Sequence, residues 1–194
     1  FHLNEMITFD FEFEMKQVKL LDKSFRLFID SNKIKKSIDD LSKIINNDYN
    51  HACPIFVCVL NGSFLFAADL LRRFEHECKV SFIKISSYEG TSSTGTLKEL
   101  IGLNEQIKGR DVIVVEDIVD TGNTLEGVYK ELLKHNPKSV QTATLLFKPN
   151  AYQKTIEVKY SALQVGNEFL VGYGLDYNGL GRNLEDIYII NETN

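Results

Sequence analysis

Val112 to Val115 form an unbroken apolar run, which fits a strand buried on both faces, as in a parallel sheet. Pro54 to Leu60, Val80 to Ile85 and Val140 to Phe147 read in the same way. Val158 to Val165 and Phe169 to Tyr173 predict two further short strands. Helical spacing separates these runs. Ile34, Ile38, Leu41, Ile44 and Ile45 recur with Lys and Asp on the other face. A second helix is expected over Phe64 to Phe74, and a third from Leu125 to residue 135, where Asn136-Pro137 ends it. Ser86 to Lys98, rich in Ser, Thr and Gly, reads as a mobile loop. Strands alternating with helices imply an α/β chain, a mainly parallel twisted sheet flanked by helices on both faces. Ligands of such sheets bind beyond the C-terminal strand ends. Asn61, Ser87, Glu116 and Lys148 all lie just past such ends.

The first fourteen residues have a different texture. Phe9, Phe11 and Phe13 alternate with Asp10, Glu12 and Glu14, the period of a half-buried strand. The expectation is an extension over 1–14, docked as a strand or disordered, ahead of a single domain over 15–194. Composition narrows the rest. A chain of 194 residues suits one domain, with no repeat or linker. No apolar run reaches the ~20 residues of a membrane span, and acids among the N-terminal phenylalanines argue against a signal peptide. A net charge of −5 argues against non-specific nucleic-acid binding. Cys53, Cys58 and Cys78 lack C-x-x-C spacing, so a reducing, cytoplasmic setting is expected. Zinc held with His51 and His76 is a weaker alternative to a core cysteine in the 55–60 strand.

The densest chemistry is in DVIVVEDIVDTGNTL, residues 111–125. Glu116, Asp117 and Asp120 follow the apolar run, then Thr121-Gly122-Asn123-Thr124 leads into a helix. Small polar residues at a helix N-terminus offer amides and hydroxyls to an anion such as a phosphate monoester. Carboxylates alongside would repel phosphate but accept hydrogen bonds from vicinal hydroxyls. A ribose 5-phosphate satisfies both. The same residues also read as an acidic turn capping a helix, with Asp120 or Thr121 as N-cap.

EDIVDTGNT resembles the phosphoribosyl-pyrophosphate (PRPP) signature of type I phosphoribosyltransferases. VCVLNGSFLFAADL, SSYEGTSSTG, LLFKP and FLVGYGLDYNGLGRNL resemble the remaining blocks of the hypoxanthine/guanine branch, and the resemblance runs from about Val18 to Ile190. It implies the type I phosphoribosyltransferase fold, with a small hood built from the N- and C-terminal segments. It also implies transfer of 5-phosphoribose from PRPP to N9 of hypoxanthine and guanine, giving IMP and GMP with release of pyrophosphate. Mg²⁺ is the implied cofactor and a homodimer or homotetramer the implied assembly, with neither nucleic acid nor membrane as partner.

The resemblance also implies roles. Glu116 and Asp117 match the acids that hold the ribose hydroxyls, partly through Mg²⁺. Asp120 matches the acid near purine N7, the supposed general base. Asp120, Thr121, Gly122, Asn123 and Thr124 would cradle the 5-phosphate. Leu60, Asn61 and Gly62 match the pyrophosphate loop, where family members often carry a non-proline cis peptide. Mammalian relatives have Lys at the Asn61 position, so a charged pyrophosphate contact is missing here and Arg182 would matter more. Lys148 matches the lysine that donates to purine O6 and so favours 6-oxo over 6-amino purines. Phe169 would stack on the purine with Ile118 opposite, and Leu170 would offer backbone groups to its edge. Asp176 matches an acid on a second Mg²⁺. Ser87 and Tyr88 open the loop that would close over the site. Without the resemblance, Asn61-Gly62 is an ordinary turn, Lys148 a surface lysine and Phe169 a core residue. The competing readings of the whole chain are a xanthine- or guanine-preferring enzyme, and a regulator that keeps the fold but binds nucleic acid.

Overall fold

A computed structural model describes residues 16–86 and 98–191. The expectations for Phe1 to Glu14, for the loop after Ser86 and for Ser87 and Tyr88 lie outside the described residues.

The apolar runs become the centre of a six-stranded sheet. Its strands are β3 (Ile55–Val59), β4 (Lys79–Ser86), β5 (Lys98–Ile101), β6 (Asp111–Val119), β7 (Ser139–Phe147) and β8 (Tyr160–Gln164), in the order β5-β4-β3-β6-β7-β8. Five run parallel; β5 pairs antiparallel with β4. Each central run is apolar throughout because both faces are covered, and successive side chains alternate between them. Ile55, Val57, Val59, Val112 and Val114 pack with Leu125, Val128 and Leu132 of α3 (Asn123–Leu133). Phe56, Cys58, Ile113 and Val115 pack with Ile34, Ile38, Phe66 and Leu70, which belong to α1 (Ser31–Asp48) and α2 (Phe64–Leu71).

A second, four-stranded sheet is antiparallel throughout. It joins β1 (Gln17–Leu20), β2 (Lys23–Ile29), β10 (Ile187–Ile190) and β9 (Leu170–Val171) in the order β1-β2-β10-β9. Segments from the two ends of the chain thus meet in one small sheet. Asp186, almost fully buried, anchors it by accepting from the Ser31 N–H at 2.8 Å, from Tyr188 Oη at 3.2 Å and from Lys16 Nζ. Ser31 opens α1, so this carboxylate ties the small sheet to the main body.

Several boundaries differ from the sequence reading. The run at 112–115 is the middle of a strand that reaches Val119, so Glu116 and Asp117 sit on β6 and not in a turn. Neither Asp120 nor Thr121 caps α3. The N-cap is Gly122, at φ 85°, with no side-chain cap hydrogen bond. α1 starts three residues before Ile34, where Asp30 accepts from the Asn32 and Lys33 N–H groups at 3.0 Å. Ile44 is not on its buried face and is 55 % exposed. At about 100° per residue it falls roughly 60° beyond the edge of the stripe through Ile34, Ile38, Leu41 and Ile45. α2 stops at Leu71 and not at Phe74, and β9 spans only Leu170–Val171 of the expected Phe169–Tyr173.

Candidate active site

β6 delivers its two acids to opposite sides of the sheet. Glu116 lines a cavity of about 170 Å³ together with Ile118, Val119, Asp120, Thr121, Gly122, Asn123, Thr124 and Leu125. The floor of this cavity is the end of β6 and its wall is the first turn of α3. With no side-chain cap, the first-turn amides of α3 keep their donors for an anion. Gly122 also allows a close approach from outside, since a Cβ there would overlap the Tyr152 ring. Gln153 N–H donates to Thr121 O at 3.2 Å and holds the loop from the same side.

Asp117 points the other way. Its carboxylate lies so close to Gly62 that any Cβ at that position would overlap it. Gly62 belongs to the loop between β3 and α2, where the Leu60–Asn61 peptide is cis, at the bond expected. The Gly62 carbonyl in turn abuts Gly174. Arg182 donates to Gly174 O at 2.7 Å and pairs with Asp176 at 2.6 Å, and Asp176 also accepts from the Gly179 N–H at 2.6 Å. Asp117, the 60–62 loop and the 174–182 segment therefore form one contact chain.

A third group centres on Lys148. It is not the surface lysine of the plain reading, being only 6 % exposed. Its Nζ donates to Asp120 Oδ2 at 3.2 Å and to Glu168 O at 3.0 Å. It thereby connects the β6 loop to the segment that carries Phe169. Phe169 is 46 % exposed, which rules out the core role, and its ring meets Phe25 and Tyr177 at 6.4 and 5.9 Å between centroids. It borders an open cavity of about 600 Å³ with Arg26, Glu168 and Asn191. Leu170 has a buried side chain, so only its backbone is left to face a ligand. Ile190 N–H donates to Phe169 O and Ile189 faces Leu170. Antiparallel alternation then turns the Leu170 N–H and C=O away from β10, on the open edge of the small sheet.

The electrostatics follow from burial. Glu116 is almost fully buried, its Oε1 has no hydrogen-bond partner among the described residues, and its carboxyl is pushed well above the usual range by burial and then by the Asp117 charge. Burial also pushes Asp117 up to about 6, opposed by backbone N–H groups of Ile118 and Asp117 and by the Arg182 charge. Among the described residues no group of three His, Cys, Asp or Glu could cage a metal ion on its own. Mg²⁺ does not require such a cage: one or two carboxylates with substrate phosphates and water complete its shell. An unpartnered buried carboxylate oxygen next to a second raised acid fits an ion that arrives with a phosphorylated ligand. The zinc alternative gains nothing: among the described residues Cys53, Cys58 and Cys78 join no group of three metal-ligating side chains, and the buried Cys58 thiol is pushed up to about 12 by burial.

Comparison with known proteins meets this geometry. The family model described as phosphoribosyl transferase domain matches residues 28–178. The hypoxanthine-guanine phosphoribosyltransferase of Aquifex aeolicus (strain VF5) is 36% identical over 180 residues, covering 92% of this chain and all of that one. The chain belongs to the hypoxanthine-guanine branch of the phosphoribosyltransferases. Solved structures agree. A hypoxanthine phosphoribosyltransferase of Staphylococcus aureus superposes with a TM-score of 0.81 at 34% identity, over 87% of this chain and 94% of that one. A hypoxanthine-guanine phosphoribosyltransferase of Bacillus anthracis with HEPES in its active site gives 0.79 at 35% identity, over 85% and 96%. The fold is accordingly the type I phosphoribosyltransferase fold, with its sheet of five parallel strands flanked by helices.

Family membership orders the residues. Glu116, Ile118, Asp120, Thr121, Gly122, Asn123 and Thr124 meet around one cavity. Lys148 adds itself through Asp120, and Leu60, Asn61, Gly62, Asp117, Asp176 and Arg182 make the second cluster. The sequence reading passed over Lys84, whose Nζ lies 3.3 Å from Asn61 Oδ1. Only the parallel pairing of β3 with β4 brings it there, and no local pattern announces that pairing.

Proposed function

We propose that this phosphoribosyltransferase transfers 5-phosphoribose from PRPP to N9 of hypoxanthine and of guanine, forming IMP and GMP and releasing pyrophosphate. The observation that carries the reading is the cavity at the end of β6. Glu116, buried and with one unpartnered oxygen, lines the same space of about 170 Å³ as the uncapped first turn of α3. A ligand with hydroxyls at one end and a phosphate at the other suits both walls, and the names of the relatives support the same substrate class.

The chain's own residues then have definite tasks. The amides of Thr121 to Thr124 and the Thr121 and Thr124 hydroxyls bind the 5-phosphate at the positive end of α3. Glu116 and Asp117 accept from the ribose hydroxyls and, with Asp176, would hold Mg²⁺. When bound, Mg²⁺ neutralises phosphate charge and so eases the departure of pyrophosphate. The 60–62 loop and Arg182 take the pyrophosphate arm. Asp120 accepts the purine proton at N7, or stabilises the charge developing on the base. Lys148 is already held between Asp120 and Glu168 O, and it uses a remaining N–H on a 6-oxo group. Phe169 and Ile118 stack on the ring, and the outward backbone of Leu170 reads the purine edge.

The same reading takes residues 15–194 as one domain with the small sheet as its hood, working in the cytoplasm as a homodimer or homotetramer. Light scattering on the purified chain checks the assembly. The central test is a set of initial rates with PRPP and Mg²⁺ on hypoxanthine, guanine, xanthine and adenine. Turnover of hypoxanthine and guanine with poor use of adenine is expected. Comparable rates on adenine overturn the Lys148 assignment, and no turnover on any base overturns the reading as a whole.

A further inference from the structure

The described cations of the site are mostly spent on the chain's own acids. Arg182 pairs with Asp176 and Lys148 with Asp120. Around them stand Glu116, Asp117, Asp120 and Asp176, so the site carries more negative than positive charge before any ligand enters. A diphosphate adds several more negative charges. The loop expected to receive it, Leu60 to Gly62, offers backbone and a neutral Asn61 amide.

Lys84 supplies a cation at that place. It sits on β4 next to Ile83, which is buried on the α3 face with Val57 and Val59. Strand alternation therefore sends Lys84 to the opposite face, the side of α2 and the 60–62 loop. Leu60 N–H donates to Ile83 O at 2.9 Å, which fixes β4 and the loop in register. The Lys84 ammonium then donates to Asn61 Oδ1 at 3.3 Å. Other lysines nearby hold carboxylates: Lys79, earlier on the same strand, pairs with Glu105 at 2.8 Å. The partner described for Lys84 is a neutral amide oxygen. An ammonium held so weakly loses little when a phosphate oxygen replaces that amide, and it gains a charge-assisted bond.

We infer that Lys84 binds the pyrophosphate group of PRPP in this chain, with Asn61 as its positioning residue. The inference rests on the reading above for the identity of the ligand, and on the β3–β4 geometry for the residue. It places the charge at this loop on the neighbouring strand and not on the loop itself.

Calorimetric titration of the full chain with magnesium pyrophosphate tests it, using wild type, Lys84→Ala, Lys84→Gln and Lys84→Arg. The neutral variants should bind pyrophosphate about tenfold more weakly, while Lys84→Arg should regain most of the affinity. IMP carries the 5-phosphate and base but no pyrophosphate, and its affinity should stay within about twofold across the series. Pyrophosphate affinity within about twofold of wild type in both neutral variants overturns the inference. So does an equal loss for IMP, which would mean general damage to the site, and so does a wild type that does not bind magnesium pyrophosphate. Wild-type turnover on the four bases separately decides the proposed function. A chain that binds pyrophosphate through Lys84 yet converts no purine would sink that function and leave the Lys84 contact standing.

Discussion

At the scale of single residues, several side chains of the site already hold one another in pairs. Asp120 and Lys148 hold one another at 3.2 Å, so the acid and the base-reading lysine are preset as a pair. Asp120→Asn keeps the shape of the contact but removes the charge. It should lower kcat by about 10²-fold, with the KM for PRPP nearly unchanged. Steady-state kinetics check this, and a rise in KM at constant kcat would make Asp120 a binding residue only. Gly62 is the more severe position. Gly62→Ala puts a methyl group into the Asp117 carboxylate, and either the loop or the acid must move. PRPP affinity should fall by at least tenfold while the melting temperature changes by a few degrees. Unchanged PRPP binding would show that the contact is unimportant. Neither consequence is visible in the sequence, where Gly62 and Asp117 are far apart and Asn61-Gly62 reads as a turn. The acids, Lys148, Phe169 and Arg182 were legible because motifs carry them; their mutual distances were not.

At the scale of elements, periodicity found what is buried on two faces and missed what is buried on one. β3, β6 and β7 announce themselves by unbroken apolar runs. Of the small sheet only β9 does so, within the expected Phe169–Tyr173; β1, β2 and β10 do not. β1 alternates exposed and half-buried positions over four residues, and β10 has only four residues at the end of a polar stretch. Their stability comes from pairing across the length of the chain, which no local window contains. Asp186 concentrates that long-range dependence. Burial alone would raise its carboxyl, but the bonds from Lys16, the Ser31 N–H and Tyr188 outweigh burial and lower it. A lowered folded-state value means the stabilisation is present above the ordinary aspartate range and is lost as pH falls through it. Asp186→Ala leaves the Ser31 N–H and the Tyr188 hydroxyl unsatisfied. It should cost about 2 kcal/mol, or roughly 4–8 °C in Tm for a chain of this size. Melting curves near neutral pH check the loss, and the difference from wild type should shrink as the buffer approaches pH 3.

At the scale of the whole molecule, Glu116 and Asp117 couple stability to ligand. Both are raised, mainly by burial. A raised value stabilises the fold fully below the ordinary carboxylate range, and that contribution is lost as pH rises through the folded-state value, about 6 for Asp117. Asp117 alone then contributes about 2 kcal/mol at pH 4 that is absent by pH 8. The ligand-free protein should melt lower at pH 8 than at pH 5. Mg²⁺ with PRPP favours the ionised acids, so its stabilising effect should be larger at pH 8. Thermal shifts with and without both ligands across pH 5–8 check this. A ligand-induced shift that is the same at both ends would separate the two acids from ligand binding.

The adjacency of Glu116 and Asp117 also limits how this gene can change. Neighbouring positions on a strand face opposite ways, so one acid serves the α3 cavity and the other the 60–62 loop. A single codon inserted or deleted between Asp111 and Val115 would rotate everything after it by one position. Glutamate and aspartate would trade sides, each with the wrong reach, and the alternating valines would trade helices as well. The turn at 134–138, between α3 and β7, is mostly exposed and has no such parity to keep. Insertions there should be tolerated in a library of single-codon indels scored by purine salvage, whereas β6 should appear as a gap in the surviving set.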